Sequence, residues 1–137
     1  MNILDVDKIE KITGKDKLED IFELQRKLKE KYDIIEREKG IYVPEKVNIH
    51  SCRDQEYLKS LFYRIIAELV EAAETLKNKP WKQSEVMTDV DHLFEELADA
   101  FHFYIELCIN LGIDADKLYE LYFKKQEVNK WRQKTKY

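Results

Sequence analysis

Apolar positions recur every three or four residues along most of the chain, the spacing that gathers them on one side of a helix. Ile3, Val6, Ile9 and Ile12 predict a short helix over residues 2–12, stopped by Thr13-Gly14. A second helix is predicted from about Asp16 to Lys39, with Leu18, Ile21, Phe22, Leu28, Tyr32 and Ile35 on its apolar side and Gly40 ending it. Residues 41–53, containing Pro44, read as the one long connection. A third helix runs from about Asp54 to Asn78 with Leu58, Leu61, Phe62, Ile65, Leu69 and Leu76 inward, and is broken before Pro80. A fourth begins at Thr88 or Asp89, where Thr88 followed by Asp91 resembles a capping box, and ends before Gly112. Asp114 can cap a fifth, reaching about Gln133. The expectation is an all-α helical bundle of four to five helices in a single domain, residues 1–137, with antiparallel neighbours wherever loops are short.

Composition sharpens this picture. Charged residues make up 38% of the chain and hydrophobic ones 44%, with only three Gly and two Pro in 137 residues, as long helices with few turns require. A net charge of −4 argues against nucleic-acid binding. No apolar run approaches a bilayer span, and the first residues lack the basic and apolar regions of a signal peptide, so a cytoplasmic chain independent of membranes is expected. Two cysteines give no disulfide framework; Cys108, in an apolar helix, reads as a core residue. One helix is apolar nearly all round, through Phe101, Phe103, Tyr104, Ile105, Leu107 and Ile109, more than a small bundle can bury alone. At least a homodimer is expected.

The candidate chemistry lies on the third and fourth helices. Arg64-Ile-Ile-Ala-Glu68-Leu-Val-Glu71 and Glu95-Glu96-Leu-Ala-Asp99-Ala-Phe-His102 each carry two carboxylates three residues apart, amid apolar neighbours. That spacing puts both members of a pair on adjoining faces of a helix. Four hard oxygen donors converging from two helices suit Mg²⁺, with Mn²⁺ as a substitute; otherwise they are solvated helix-face acids. His102, three residues after Asp99, reads as a donor behind the carboxylates or a core histidine, while His92 and His50 show no ligand spacing. Tyr122, Lys125, Asn129 and Arg132 form one stripe on the last helix, suited to phosphate or simply a solvated basic end. Trp81-Lys82, between the acidic helices, could stack a base and reach a phosphate, or close the core. The three glycines are too far apart for a phosphate loop.

Taken together, Glu68-x-x-Glu71, Trp81-Lys82, Glu96-Leu-Ala-Asp99-Ala-Phe-His102-Phe103, the terminal Lys125-Gln-Glu-Val-Asn129-Lys-Trp-Arg132-Gln133 and, more weakly, Leu24-Gln25-Arg-Lys-Leu28 resemble the all-α nucleoside triphosphate pyrophosphatases. Within that MazG-like superfamily the resemblance is to the dimeric dUTPases. It implies that Glu68, Glu71, Glu96 and Asp99 ligate magnesium and that Lys125, Asn129 and Arg132 contact the triphosphate and sugar. It also implies that Gln25 contacts the base. Hydrolysis by a metal-activated water further needs a carboxylate to accept the water's proton, for which Glu71 and the neighbouring Glu95 are the candidates. Lys29 stands where the family usually has Asn, and Lys125-Gln126 where it has Lys-Asn. The expected activity is cleavage of a nucleoside triphosphate, dUTP favoured, to the monophosphate and pyrophosphate. The same chemistry on dCTP, dGTP or a non-standard nucleotide is the near alternative, and a non-catalytic helical interaction module the distant one.

Overall fold

In the computed structural model, residues 16–135 are described; the helix expected over 2–12 lies outside them. Four helices follow one another, α1 (Lys17–Glu38), α2 (Cys52–Glu74), α3 (Val90–Asn110) and α4 (Ala115–Lys134). Each begins where a short oxygen-bearing side chain can satisfy an orphan amide of the first turn. Asp16 accepts from Leu18 and Glu19, Ser51 from Asp54, Asp89 from His92 and Asp114 from Lys117. The cap of α3 is therefore Asp89 and not Thr88. α1 and α3 end alike. Gly40 and Gly112 take positive φ angles of 78° and 74°. Past them, Ile41 N–H bonds to Glu36 O at 3.0 Å and Ile113 N–H to Cys108 O at 2.9 Å, closing a Schellman motif at each end.

α2 stops at Glu74, short of the Asn78 expected from the sequence. The cause is local side-chain chemistry. Thr75 Oγ1 donates to Ala72 O at 2.7 Å, while Asn78 clasps Val86 in both directions, accepting from its N–H at 2.7 Å and donating to its carbonyl at 3.0 Å. That clasp offers the backbone an alternative to further helix and closes the loop leading to α3.

α2 and α3 pack side by side along most of their length, α1 crosses α3, and α4 rests on α1. The α2–α3 pair runs antiparallel: Leu61 meets Leu107, Arg64 lies over the Phe103 ring, and Glu68 meets Asp99. Two buried clusters hold the fold. Val43, Tyr57, Leu58, Leu61 and Leu107 form one, and Phe22, Ile105, Cys108 and Ala115 the other, with Cys108 in the core as expected. The loop between α1 and α2 contributes Val43, and it is pinned by buried Asp54. That carboxylate accepts from Tyr42 Oη at 2.6 Å and from Asn48 N–H at 2.7 Å. Those bonds hold its pKa below the ordinary carboxylate value, the Tyr42 bond foremost.

Part of the predicted core is not core. Phe62, Leu69 and Leu76, expected inward on α2, and Tyr32 and Ile35 on α1, are exposed. On α2 the exposed apolar residues Phe62, Ile66 and Leu69 form a single stripe. On α3 Phe94, Leu97 and Phe101 form another, and the antiparallel register sets the two side by side.

Candidate active site

Where α2 and α3 lie closest to their loop-connected ends, three carboxylates face one another. Glu68, Glu96 and Asp99 each offer one oxygen, and these oxygens lie within 4.8 Å of one another. Apolar packing of the hairpin forces them together, since Glu96 is itself buried and Glu68 and Asp99 are partly so. His92, one turn before Glu96, sets its Nε2 3.0 Å from Glu96 Oε1. This partner was missed in the sequence, although the four-residue spacing was there to be read. The other oxygen, Glu96 Oε2, is buried and has no hydrogen-bond partner among the described residues.

Like charges at this distance cannot all ionise freely. The Glu68 carboxyl is pushed up to about 8 by the hydrogen bond it shares with Glu96, then by burial and by the charges of Glu71 and Asp99. Burial and the Glu96 charge raise Asp99, which His102 partly offsets. Glu96 is held below its usual range as the acceptor of the Glu68 proton and the partner of His92. The crowding thus makes full ionisation of the cluster costly, a cost that a divalent cation would relieve. Hard oxygen donors and an orphaned buried carboxylate oxygen fit an oxygen-seeking dication.

The other expected residues divide between this centre and places apart from it. Glu71 stands exposed beside Glu96, near enough to act on its titration. Glu95 is partly buried and is not one of the three converging carboxylates. Gln25 is only 3% exposed, and its Oε1 accepts from Nδ1 of His102, one turn beyond Asp99, at 2.7 Å. Its Nε2 is buried without a partner. His102 is thus an exposed residue that ties α1 to the acidic helix, and is not a core histidine. Trp81 is 76% exposed in the α2–α3 loop, under the Lys79 ammonium, so it does not close the core; Lys82 beside it is also exposed. Lys125 and Asn129 are exposed on α4 and Arg132 is partly buried. α4 touches α1 through its first turns, and the ion pairs of its Lys117, Lys124 and Lys130 are made within α4 itself.

The chain is all-α among its described residues, and its central antiparallel hairpin gathers glutamates and an aspartate from both helices. The family model described as dUTPase matches residues 17–117. The chain therefore belongs to that family, the dimeric all-α dUTPases of the MazG-like superfamily, and is a dUTP diphosphatase-like nucleoside triphosphate pyrophosphatase. The match ends in the first turn of α4, ahead of Lys125, Asn129 and Arg132. No curated protein and no solved structure matches the chain.

Proposed function

We propose that the chain hydrolyses dUTP to dUMP and pyrophosphate, with Mg²⁺ held by Glu68, Glu96 and Asp99 and with Glu71 at the rim of the site. The observation that carries this reading is the convergence of three carboxylate oxygens from α2 and α3, one of the participating groups keeping a buried oxygen without a partner. Glu68, Glu96 and Asp99 would hold the Mg²⁺, which would supply positive charge for the phosphates and ease deprotonation of a water. The remaining work falls to side chains. Water adds to the α-phosphorus, the bond to the bridging oxygen breaks, and pyrophosphate leaves with that oxygen. The water's proton passes to a carboxylate, Glu71 being the exposed one beside the cluster. His92 holds Oε1 of Glu96, so this donor is aimed before the ligand arrives. Gln25, fixed by His102, has a free amide N–H pair for a base carbonyl, and exposed Trp81 offers a face for stacking. Lys125, Asn129 and Arg132 supply phosphate contacts. The chain works as a homodimer whose copies meet through the paired apolar stripes of α2 and α3.

The test is pyrophosphate release from a panel of dUTP, dCTP, dGTP and dTTP with Mg²⁺ or Mn²⁺. Turnover led by dUTP is expected; a preference for another nucleotide would move the substrate assignment and leave the metal site standing. Thermal melting against Mg²⁺ adds a readout free of substrate. A site on the native chain raises the melting temperature by mass action, and Glu96→Gln should remove that rise.

A further inference from the structure

Among the described residues Glu106 is the most deeply buried charged side chain, and the candidate active site makes no use of it. It lies on α3 about two helical turns beyond Asp99, roughly 10 Å at 1.5 Å per residue. Its Oε2 has no hydrogen-bond partner among the described residues. Two helices close over it. α1 brings Lys29, Asp33 and Glu36, and α2 brings Arg64 and the buried Tyr57, whose phenol stays protonated because burial and the neighbouring acids raise its pKa.

The charges that act on Glu106 are already matched with one another. Lys29 Nζ lies 2.5 Å from Asp33 Oδ2, and Arg64 Nη2 lies 2.8 Å from Glu36 Oε1. Each cation has an acid of its own, the two pairs cancel, and Glu106 is the acid left over. An uncompensated charge in such a place is costly. With its proton, Glu106 leaves the cluster without net charge. Without it, a third negative charge stands on α3 opposite the two that α1 carries, Asp33 and Glu36.

The first half of α1 is held by other means, Phe22 packing with Ile105 and Cys108 and Gln25 bonding to His102. The half that meets the third charge begins at Lys29. Solvent can reach this place. A cavity of about 500 Å³ between α1, the loop after it and the end of α3 is lined by Lys29 and Asn110, and Asn110 Nδ2 donates to the Glu106 carbonyl at 2.9 Å. Water there stands within a helical turn of the acid.

We infer that Glu106 is a proton-operated latch between α1 and α3: protonated, it lets residues 29–38 of α1 lie closed on α3, and ionised, it loosens them. The one chemical step is the transfer of a proton between the Glu106 carboxyl and water. Its sign follows from burial, which pushes the carboxyl of the closed chain up to about 6, so the closed state is the one that keeps the proton. Closure is firmest below the ordinary value of 4.5 and weakens as pH rises through about 6. Gln25 lies one turn ahead of Lys29 on the same helix, so the latch also bears on how firmly the His102 contact beside the carboxylate centre is held. It does not depend on which nucleotide the chain hydrolyses.

The test is amide hydrogen exchange of the full chain at pH 5 and pH 8, with the intrinsic pH dependence of exchange divided out and the α2 amides around Leu58 and Leu61 as reference. Residues 31–38 should lose roughly tenfold in protection between the two pH values relative to that reference. Glu106→Gln, neutral throughout, should keep them protected at both. Asp33→Asn removes one opposing acid and frees Lys29 to balance an ionised Glu106, so it should flatten the pH dependence too, and it serves if Glu106→Gln fails to fold. Equal protection of the wild-type segment at both pH values overturns the inference. A loss in either folded variant as large as that of the wild type also overturns it, since the pH dependence would then belong to groups outside this cluster.

Discussion

Glu96 and Glu106 lie ten residues apart on the same helix and are both buried, yet they ask for different partners. Glu96 faces two other acids and a histidine, and among the described residues its Oε2 has no hydrogen-bond partner. Glu106, 1% exposed, feels Arg64 and Lys29 on one side of the balance and Asp33 and Glu36 on the other, and all four are already engaged with one another in the Arg64–Glu36 and Lys29–Asp33 pairs. Burial wins, and its carboxyl is pushed up to about 6. A raised folded-state pKa means the folded chain binds this proton more tightly than the unfolded one. The stabilisation it brings is complete below about 4.5 and is lost as pH rises through about 6. Glu106→Gln should therefore stabilise the protein by ~1–2 kcal/mol at pH 8 and by much less at pH 4.5. Calorimetric melting of both proteins at the two pH values measures it, and an equal difference at both would show that Glu106 does not change protonation there. For the metal centre, Asp99→Asn should abolish turnover and the Mg²⁺-dependent rise in melting temperature while the metal-free variant melts no lower than wild type, because one repelling charge has been removed. Near-normal turnover by Asp99→Asn would exclude this residue from the site.

Among the elements, helix ends carry the clearest local signals. Gly112 takes φ 74° to close the Schellman motif of α3, where a side chain would be strained although the space around it is open. Gly112→Ala should cost ~1 kcal/mol in urea unfolding, a loss set by backbone conformation and not by a clash. These ends were legible because a cap is decided within a few residues: Asp16, Asp114, Gly40 and Gly112 stand where the sequence alone puts them. The end of α2 was not, since Asn78 leaves the helix for a partner eight residues away. Nor was the bond between Gln25 and His102, seventy-seven residues apart, because it depends on where α1 crosses α3. The acidic pairs were legible as candidates, and only the hairpin register shows that Glu68 meets Glu96 and Asp99 while Glu71 stays at the rim. On α4, Arg132→Ala should lower catalytic efficiency roughly 10- to 1,000-fold, as expected for an electrostatic contact to the reacting phosphates. Lys134→Ala, off the stripe, should change little, and equal losses at both would reduce the helix to bulk positive charge.

At the scale of the whole molecule, the deciding fact is that apolar periodicity marks every surface that avoids water, without saying which protein covers it. Phe62 and Leu69 repeat along α2 as faithfully as Leu58 and Leu61, but both are exposed in their own chain. The α3 residues Phe94, Leu97 and Phe101 behave the same way and stand alongside them. A contiguous exposed face of this kind marks an interface, and two copies meeting face to face would complete a four-helix layer of the sort a single hairpin cannot. Leu97→Glu places a charge in the middle of that layer, where pairing would bury it against its symmetry mate. In one chain the same position is exposed, so the helix itself should persist. The variant should therefore sediment as a monomer at low micromolar concentration with wild-type helicity by circular dichroism. Wild-type sedimentation by Leu97→Glu would remove the stripes from the interface. A monomer with full activity would keep the interface but confine all of the chemistry to one chain.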